Sequence, residues 1–114
     1  MSVNLSTRQV GDVSVVDVEG RITLGEGTSA LRDTIRQLVG NGQKKILLNL
    51  GDVSYIDSSG IGELVSGFTT VTNSGGQLKL LNLTKRVKDL LQITKLYTVF
   101  DVAESEASAI RSFT

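Results

Sequence analysis

A serine pair between an aspartate and a glycine is the part of this sequence whose residue types could do chemistry. The stretch "YIDSSGIGEL" places Asp57, Ser58 and Ser59 directly before Gly60, where an apolar run gives way to a helix-like pattern. The start of a helix carries unpaired backbone amides and a positive dipole end, and both favour an anion such as phosphate. Gly60 and Gly62 leave this corner without side chains, which permits close approach of a nucleotide or of another protein's backbone. A strand-to-helix turn capped by serine or aspartate explains the same residues.

Composition argues against most catalytic uses of these serines. The 114-residue chain has no cysteine and no histidine, which excludes disulfides, thiol chemistry, zinc sites with nitrogen or sulfur ligands and the usual general base. No S-x-x-K spacing, G-x-S-x-G motif or P-loop is present. Asp52 and Asp57 could hold a hard cation, although two carboxylates in a loop more often cap a helix or face solvent. We therefore expect no enzyme, no metal and no cofactor.

The distribution of charge bears on the choice of partner. The 12 basic and 12 acidic residues are mixed along the chain and give zero net charge, which argues against nucleic acid or an anionic membrane as a partner. Two short basic clusters lack interleaved aromatic residues and are interpreted as solvated faces: Lys44 and Lys45, and Lys85, Arg86 and Lys88. Because we find neither a leader segment nor an apolar run near the roughly 18 residues of a membrane span, we expect a cytoplasmic protein.

Alternating strand and helix patterns surround the serine pair. The alternation at Val3 and Leu5 and the run "DVSVVDVEG" predict an antiparallel hairpin. A first helix is predicted from Thr28, as its N-cap, to the glycines of "GNG". The apolar run "KKILLNL" predicts a strand covered on both faces, which leads through Asp52 to the serines. A second helix is then predicted from near Ile61 to "NSGG".

The C-terminal third continues the alternation. The run "QLKLLNL" predicts another buried strand, and Thr84 is predicted to cap a short helix. "YTVF" suggests an edge strand, and Asp101 with Glu104 suggests a capping box before a last helix. Together these elements predict one domain over residues 1–114, an α/β sandwich. Its mixed sheet has an N-terminal antiparallel hairpin and parallel central strands, with about four helices packed on it.

The same residues resemble a known family. The run "KKILLNLGDVSYIDSSGIGEL", with "VSVVDVEGRI" before it and "GGQLKLLNLTKRVKDLLQITKL" after it, is similar to the STAS domain, and specifically to the bacterial anti-sigma factor antagonists. The similarity covers nearly the whole chain, and "IDSSGIG" after an apolar strand is its most specific element.

The resemblance implies a partner switch. An unmodified antagonist of this kind binds an anti-sigma factor, which is also an ATP-dependent serine kinase, and so releases the sigma factor. Phosphorylation then ends the binding, and a metal-dependent serine/threonine phosphatase restores it. By position, the phosphorylated residue here is Ser58. The resemblance assigns the docking surface to its neighbours: Asp57, Ser59, Gly60, Ile61 and Gly62.

One position departs from the family pattern. Members often carry an aspartate shortly after the glycine that ends the second strand, whereas this chain has Thr23 in "GRIT". Thr23 is therefore a candidate partner-binding residue that bears on partner choice. We expect a monomer or weak dimer. Three alternatives remain open. The chain could be a STAS module of another assembly, such as a stressosome-like scaffold or a lipid-transport complex. It could also be a nucleotide sensor at the "DSSG" corner, or an unrecognised hydrolase.

Overall fold

The computed structural model describes residues 3–113. Strands and helices alternate after an initial pair of strands, in this order: β1 Val3–Val10, β2 Val13–Ile22, α1 Glu26–Gly40, β3 Lys45–Ile56, α2 Ser58–Asn73, β4 Gln77–Leu81, α3 Lys85–Ile93, β5 Val102–Ala103 and α4 Glu106–Ser112. A short 3-10 turn, Tyr97–Val99, precedes β5. Within the described part of the chain, no helix is long and apolar enough to cross a bilayer.

The five strands form one mixed sheet in the order β1-β2-β3-β4-β5. β1 and β2 are antiparallel and are joined by a tight turn at Gly11, whose φ of 63° suits a glycine. The other neighbouring strands are parallel, so the carboxyl ends of β2, β3 and β4 lie at one end of the sheet. This arrangement confirms the predicted α/β class, mixed sheet and N-terminal hairpin.

Both faces of the sheet are covered, but unequally. Successive strand residues point to opposite faces, and the buried side chains accordingly form two cores. The larger core contains Val16 and Leu48 with residues of α1, α2 and α3, and the smaller one contains Val15 and Leu47 with residues of α4. Three helices therefore cover one face, and the seven-residue α4 covers part of the other.

An arginine on β1 fastens α4 to the sheet. Arg8 donates to Asp17 on β2, with a 2.7 Å contact between Nε and Oδ2, and its two terminal nitrogens donate to Glu106 at 2.6 and 2.9 Å. These hydrogen bonds hold the pKa values of the Asp17 and Glu106 carboxyls below their usual range. The same contacts raise the pKa of the Arg8 guanidinium, first through Glu106 and then through Asp17.

Three helices begin a few residues away from their predicted starts. α2, predicted from near Ile61, begins at Ser58. α1 begins at Glu26 with Gly25 as its N-cap, and Thr28 occupies the third helical position, where its hydroxyl accepts from the Gly25 amide at 3.2 Å. In this capping box the hydroxyl residue is at the third helical position and a glycine is at the N-cap, the reverse of the usual order, which explains the error. The last helix is capped by Ser105, which accepts from the Ser108 amide, and not by Asp101.

Two strand predictions also need correction. Tyr97–Val99 forms the 3-10 turn, and the edge strand follows it at Val102–Ala103. The aromatic end of "YTVF" is used for core packing instead, since Phe100 is buried and meets Phe68 edge-on at 5.5 Å between ring centroids. β3 continues through Asp52 to Ile56, because its second half pairs with the end of β2.

Candidate functional site

Asp57 joins the start of α2 to the loop after β2. It is the N-cap of α2, and its Oδ1 accepts a hydrogen bond from the Gly60 amide at 2.8 Å. Its Oδ2 accepts a second one from the Leu24 amide at 3.2 Å. The backbone amide of Asp57 also donates to the Ile22 carbonyl at 3.4 Å. One side chain thus fixes the geometry of both segments that surround the serine pair.

This geometry bears on the cation alternative. Both carboxylate oxygens of Asp57 are occupied by amide donors, and Asp52 lies exposed within β3. Among residues 3–113, no three His, Cys, Asp or Glu side chains are grouped so that they could hold a metal ion. The structure supports the capping role that the sequence left open for Asp57.

Ser58 is the first residue of α2 and is exposed. Ser59 follows it and is half-buried. Neither hydroxyl makes a hydrogen bond to another residue within the range 3–113. Because the capping role belongs to Asp57, the Ser58 hydroxyl is available to an outside group without loss of a contact in the protein.

The two glycines of the motif have different roles. A Cβ on Gly60 would lie 2.2 Å from the Ile22 carbonyl oxygen and 2.6 Å from Ile56 Cγ1, so no side chain fits there. Gly60 is therefore required by the protein's own packing, which corrects the expectation that it leaves open space for a visiting molecule. Gly62 is exposed, and a Cβ there would meet nothing within 4 Å. Only Gly62 leaves a bare surface.

Ile61 belongs to the core and not to the surface. Its side chain is 2% exposed and packs in the larger core with Leu64 of the same helix. This burial removes the Ile61 side chain from the docking surface that the family resemblance implies. Of the predicted set, the exposed or half-buried members are Asp57, Ser58, Ser59 and Gly62, together with Thr23.

Leu24 is a surface residue that the sequence analysis did not identify. It lies between β2 and α1, beside half-buried Thr23, and its side chain is 77% exposed. Single exposed leucines are common on protein surfaces, but this one is held beside the serine pair by the hydrogen bond between its amide and Asp57. The sequence feature that could have indicated Leu24 is its isolation: it is the leucine of "RITLGE" and lies outside the apolar stripe of α1.

Comparison with known proteins identifies the family. The family model for the STAS domain matches residues 4–109. The chain belongs to the STAS domain family.

Relatives of this STAS domain include anti-sigma factor antagonists. The chain is 32% identical over 111 residues to the anti-sigma-B factor antagonist of Bacillus subtilis (strain 168), which covers 97% of this chain and 100% of the relative. An anti-sigma factor antagonist from Mycobacterium paratuberculosis has the same fold, with a TM-score of 0.84 at 19% identity over 98% of this chain and 94% of the other.

A third protein with the same fold has been solved in two states. SpoIIAA, a Bacillus cell fate determinant, gives a TM-score of 0.74 in its phosphorylated form, at 21% identity over 95% of this chain and 97% of the other. Its unphosphorylated form gives 0.71 at 20% identity over 95% and 96% of the two chains.

Two arginines of this STAS domain stack on one tyrosine near the serine pair. The guanidinium carbons of Arg21 and Arg86 lie 4.6 and 4.5 Å from the centroid of the Tyr55 ring. Arg86 also donates from Nε and Nη2 to the Ile56 carbonyl, each at 3.3 Å. The sequence analysis interpreted Arg86 as part of a solvated basic face without an aromatic neighbour. In the structure Arg86 has an aromatic partner, Tyr55, which lies on β3.

A salt bridge joins the two helices that flank the site. Arg32 on α1 donates to Glu63 on α2, with 2.8 Å between Nη2 and Oε1. The Glu63 side chain is only 8% exposed, whereas the Arg32 side chain is 42% exposed. The hydrogen bond raises the pKa of Arg32. α1 and α2 are thereby held together one turn below Ser58.

Proposed function

We propose that this STAS domain, residues 1–114, is an anti-sigma factor antagonist controlled by phosphorylation of Ser58. In its unmodified state it binds an anti-sigma factor that is also a serine kinase, and the sigma factor is released. The proposal draws on the 32% identity to the Bacillus subtilis antagonist over that relative's whole length. The partners it implies, an ATP-dependent kinase and a metal-dependent serine/threonine phosphatase, work in the cytoplasm.

The exposed, unbonded hydroxyl of Ser58 is the observation that carries the proposal. A kinase must bring this oxygen into line with the γ-phosphorus of ATP, which requires an accessible side chain. The Ser58 oxygen then forms a bond to that phosphorus, the bond to the ADP oxygen breaks, and the hydroxyl proton passes to a base of the kinase. Hydrolysis by the phosphatase returns serine and inorganic phosphate, with water as the attacking group.

At the position of Ser58 we expect phosphorylation to leave the fold intact. A phosphoserine carries roughly −1.5 to −2 charges at neutral pH, and the amide-rich start of a helix favours such a charge. At a contact with another protein the same group must lose water and face the partner's surface. A loss of about 3 kcal/mol in binding corresponds to roughly a hundredfold weaker affinity.

Phosphorylation of the purified chain by its cognate kinase tests the proposal directly. We expect one phosphate after incubation with ATP, and peptide mass spectrometry should locate it on Ser58. Ser58→Ala should abolish the modification, and Ser59→Ala is the matched control that should retain it. Label on Ser59 alone, or no label, contradicts the assignment.

Binding measurements test the switch itself. By calorimetry, Ser58→Ala should bind the kinase as tightly as the unmodified protein does and should resist release by ATP. Ser58→Asp should bind about tenfold or more weakly, because it places a negative charge at the contact. Equal affinities of the two variants would refute the switch.

A further inference from the structure

The arginine stack on Tyr55 lies at the same end of the sheet as Ser58. Tyr55 is three residues before Ser58 on the same strand-to-helix connection, so the two Cα atoms are separated by at most about 11 Å. Arg86 contacts this connection one residue nearer to Ser58 in sequence, because its guanidinium donates to the Ile56 carbonyl at 3.3 Å. Ser58 is two residues beyond that carbonyl, or at most about 7 Å between Cα atoms.

Arg86 is oriented but not neutralised. An arginine has five N–H donors, and Arg86 uses Nε and Nη2 on the Ile56 carbonyl. Neither Arg86 nor Arg21 forms a salt bridge to a carboxylate within the described residues. By contrast, Arg8 and Arg32 are paired with acidic side chains at 2.7 and 2.8 Å.

An oriented guanidinium with free donors is suited to a phosphate. Its planar fork matches two phosphate oxygens, and charge-assisted hydrogen bonds of this kind are about twice as strong as neutral ones. Stacking on Tyr55 restricts the side chain in advance, so less conformational freedom is lost when an anion binds. A phosphoserine side chain extends several bonds from the backbone, and the Ile56 contact holds the Arg86 guanidinium on the connection that carries Ser58.

We propose that Arg86, held by Tyr55 and the Ile56 carbonyl, receives the phosphate when Ser58 is phosphorylated, and that Arg21 adds to the positive potential there. This inference rests on the proposed function for the event that places the phosphate on Ser58. The phosphorylated chain then keeps its phosphate in a defined position. Arg86 is also withdrawn from any carboxylate that a partner offers.

Titration of the phosphate by phosphorus NMR tests this contact. Phosphoserine is introduced at position 58 during translation, so no kinase is needed and a failure of the kinase assay leaves this experiment unaffected. We expect Arg86→Gln to raise the second pKa of the phosphate by about half a unit, since a nearby cation stabilises the dianion. Arg86→Lys, which keeps the charge and loses the fork, should give an intermediate value.

Arg36→Gln is the matched control. Arg36 lies on α1, is exposed, and has no carboxylate partner among residues 3–113, so its loss changes the net charge equally. Asp57 and the α2 amides also act on the phosphate, but they are the same in every variant. A pKa rise in Arg86→Gln that exceeds the rise in Arg36→Gln supports the proposal. Equal pKa values in these two variants would overturn it.

Discussion

The backbone amide of Leu24 donates to the carboxylate of Asp57 at 3.2 Å, which places a 77% exposed apolar side chain beside the residue that precedes Ser58. Asp57 is at the same time the N-cap of α2. The apolar side chain and the serine hydroxyl are therefore positioned by one carboxylate. A change at Asp57 should therefore alter both the loop that carries Leu24 and the start of α2.

Replacement of Asp57 tests this double role. Asp57→Ala removes the cap and should lower the free energy of unfolding by about 1 kcal/mol, measured by urea denaturation. It should also speed hydrogen exchange at the Leu24 amide, which loses its acceptor. Asp57→Asn keeps one acceptor oxygen and should show a smaller effect. Unchanged exchange at Leu24 in Asp57→Ala would contradict the proposed link.

Leu24 should contribute to partner binding and little to stability. Leu24→Ala should weaken binding to the anti-sigma factor kinase about tenfold or more, because burial of a leucine side chain against a partner contributes about 1.5–3 kcal/mol. Ile93→Ala is the matched control, because Ile93 is 75% exposed but lies at the end of α3. Calorimetry measures the affinity of both variants for the kinase. Equal affinities would show that Leu24 does not belong to the docking surface.

The two glycines of α2 should respond to alanine in opposite ways. Gly60→Ala puts a Cβ 2.2 Å from the Ile22 carbonyl oxygen and should destabilise the protein by about 1–3 kcal/mol or more. Gly62→Ala meets open space and should stabilise the helix by up to about 1 kcal/mol. Urea denaturation measures both. If Gly62 belongs to the docking surface, the more stable variant should bind its partner more weakly.

The hydrogen bonds of Arg8 should make stability depend on acid pH. They hold the carboxyl pKa values of Asp17 and Glu106 below those of the unfolded chain. The contribution is therefore present above the unfolded values, near pH 4, and is lost as the pH falls through the lower folded values. Urea midpoints between pH 6 and pH 2 should fall less steeply in Arg8→Gln than in the unmodified protein. Arg36→Gln should leave the slope unchanged.

Local patterns in the sequence were sufficient for the fold class and for a helix start near the serine pair. The apolar run of β3, the aspartate after it and the stripe of α2 all involve neighbouring residues, so periodicity and capping preferences predict them. The position of Ser58 at a helix start follows from the same information. The conformation of "YTVF" cannot be predicted from the same information, because a short aromatic segment fits both a strand and a packed turn.

Contacts between distant residues could not be derived in this way. Leu24 and Asp57 are 33 residues apart, and Arg86 and Ile56 are 30 residues apart. The sequence shows that Leu24 is an isolated leucine and that Arg86 belongs to a basic cluster. It does not show the tertiary contacts that bring these two residues close to the serine pair. Gly60 and Gly62 illustrate the same limit, because only the neighbouring Ile22 carbonyl distinguishes their roles.

The close approach of α2 to the Ile22 carbonyl at Gly60 has a consequence for how this protein can evolve. Natural selection for folding alone keeps Gly60 unchanged, whereas the residues facing outward on either side are free of that constraint. A gene duplicate can therefore change at Thr23, Leu24 and Gly62 while it keeps the fold. The corner that presents the serine is inherited intact.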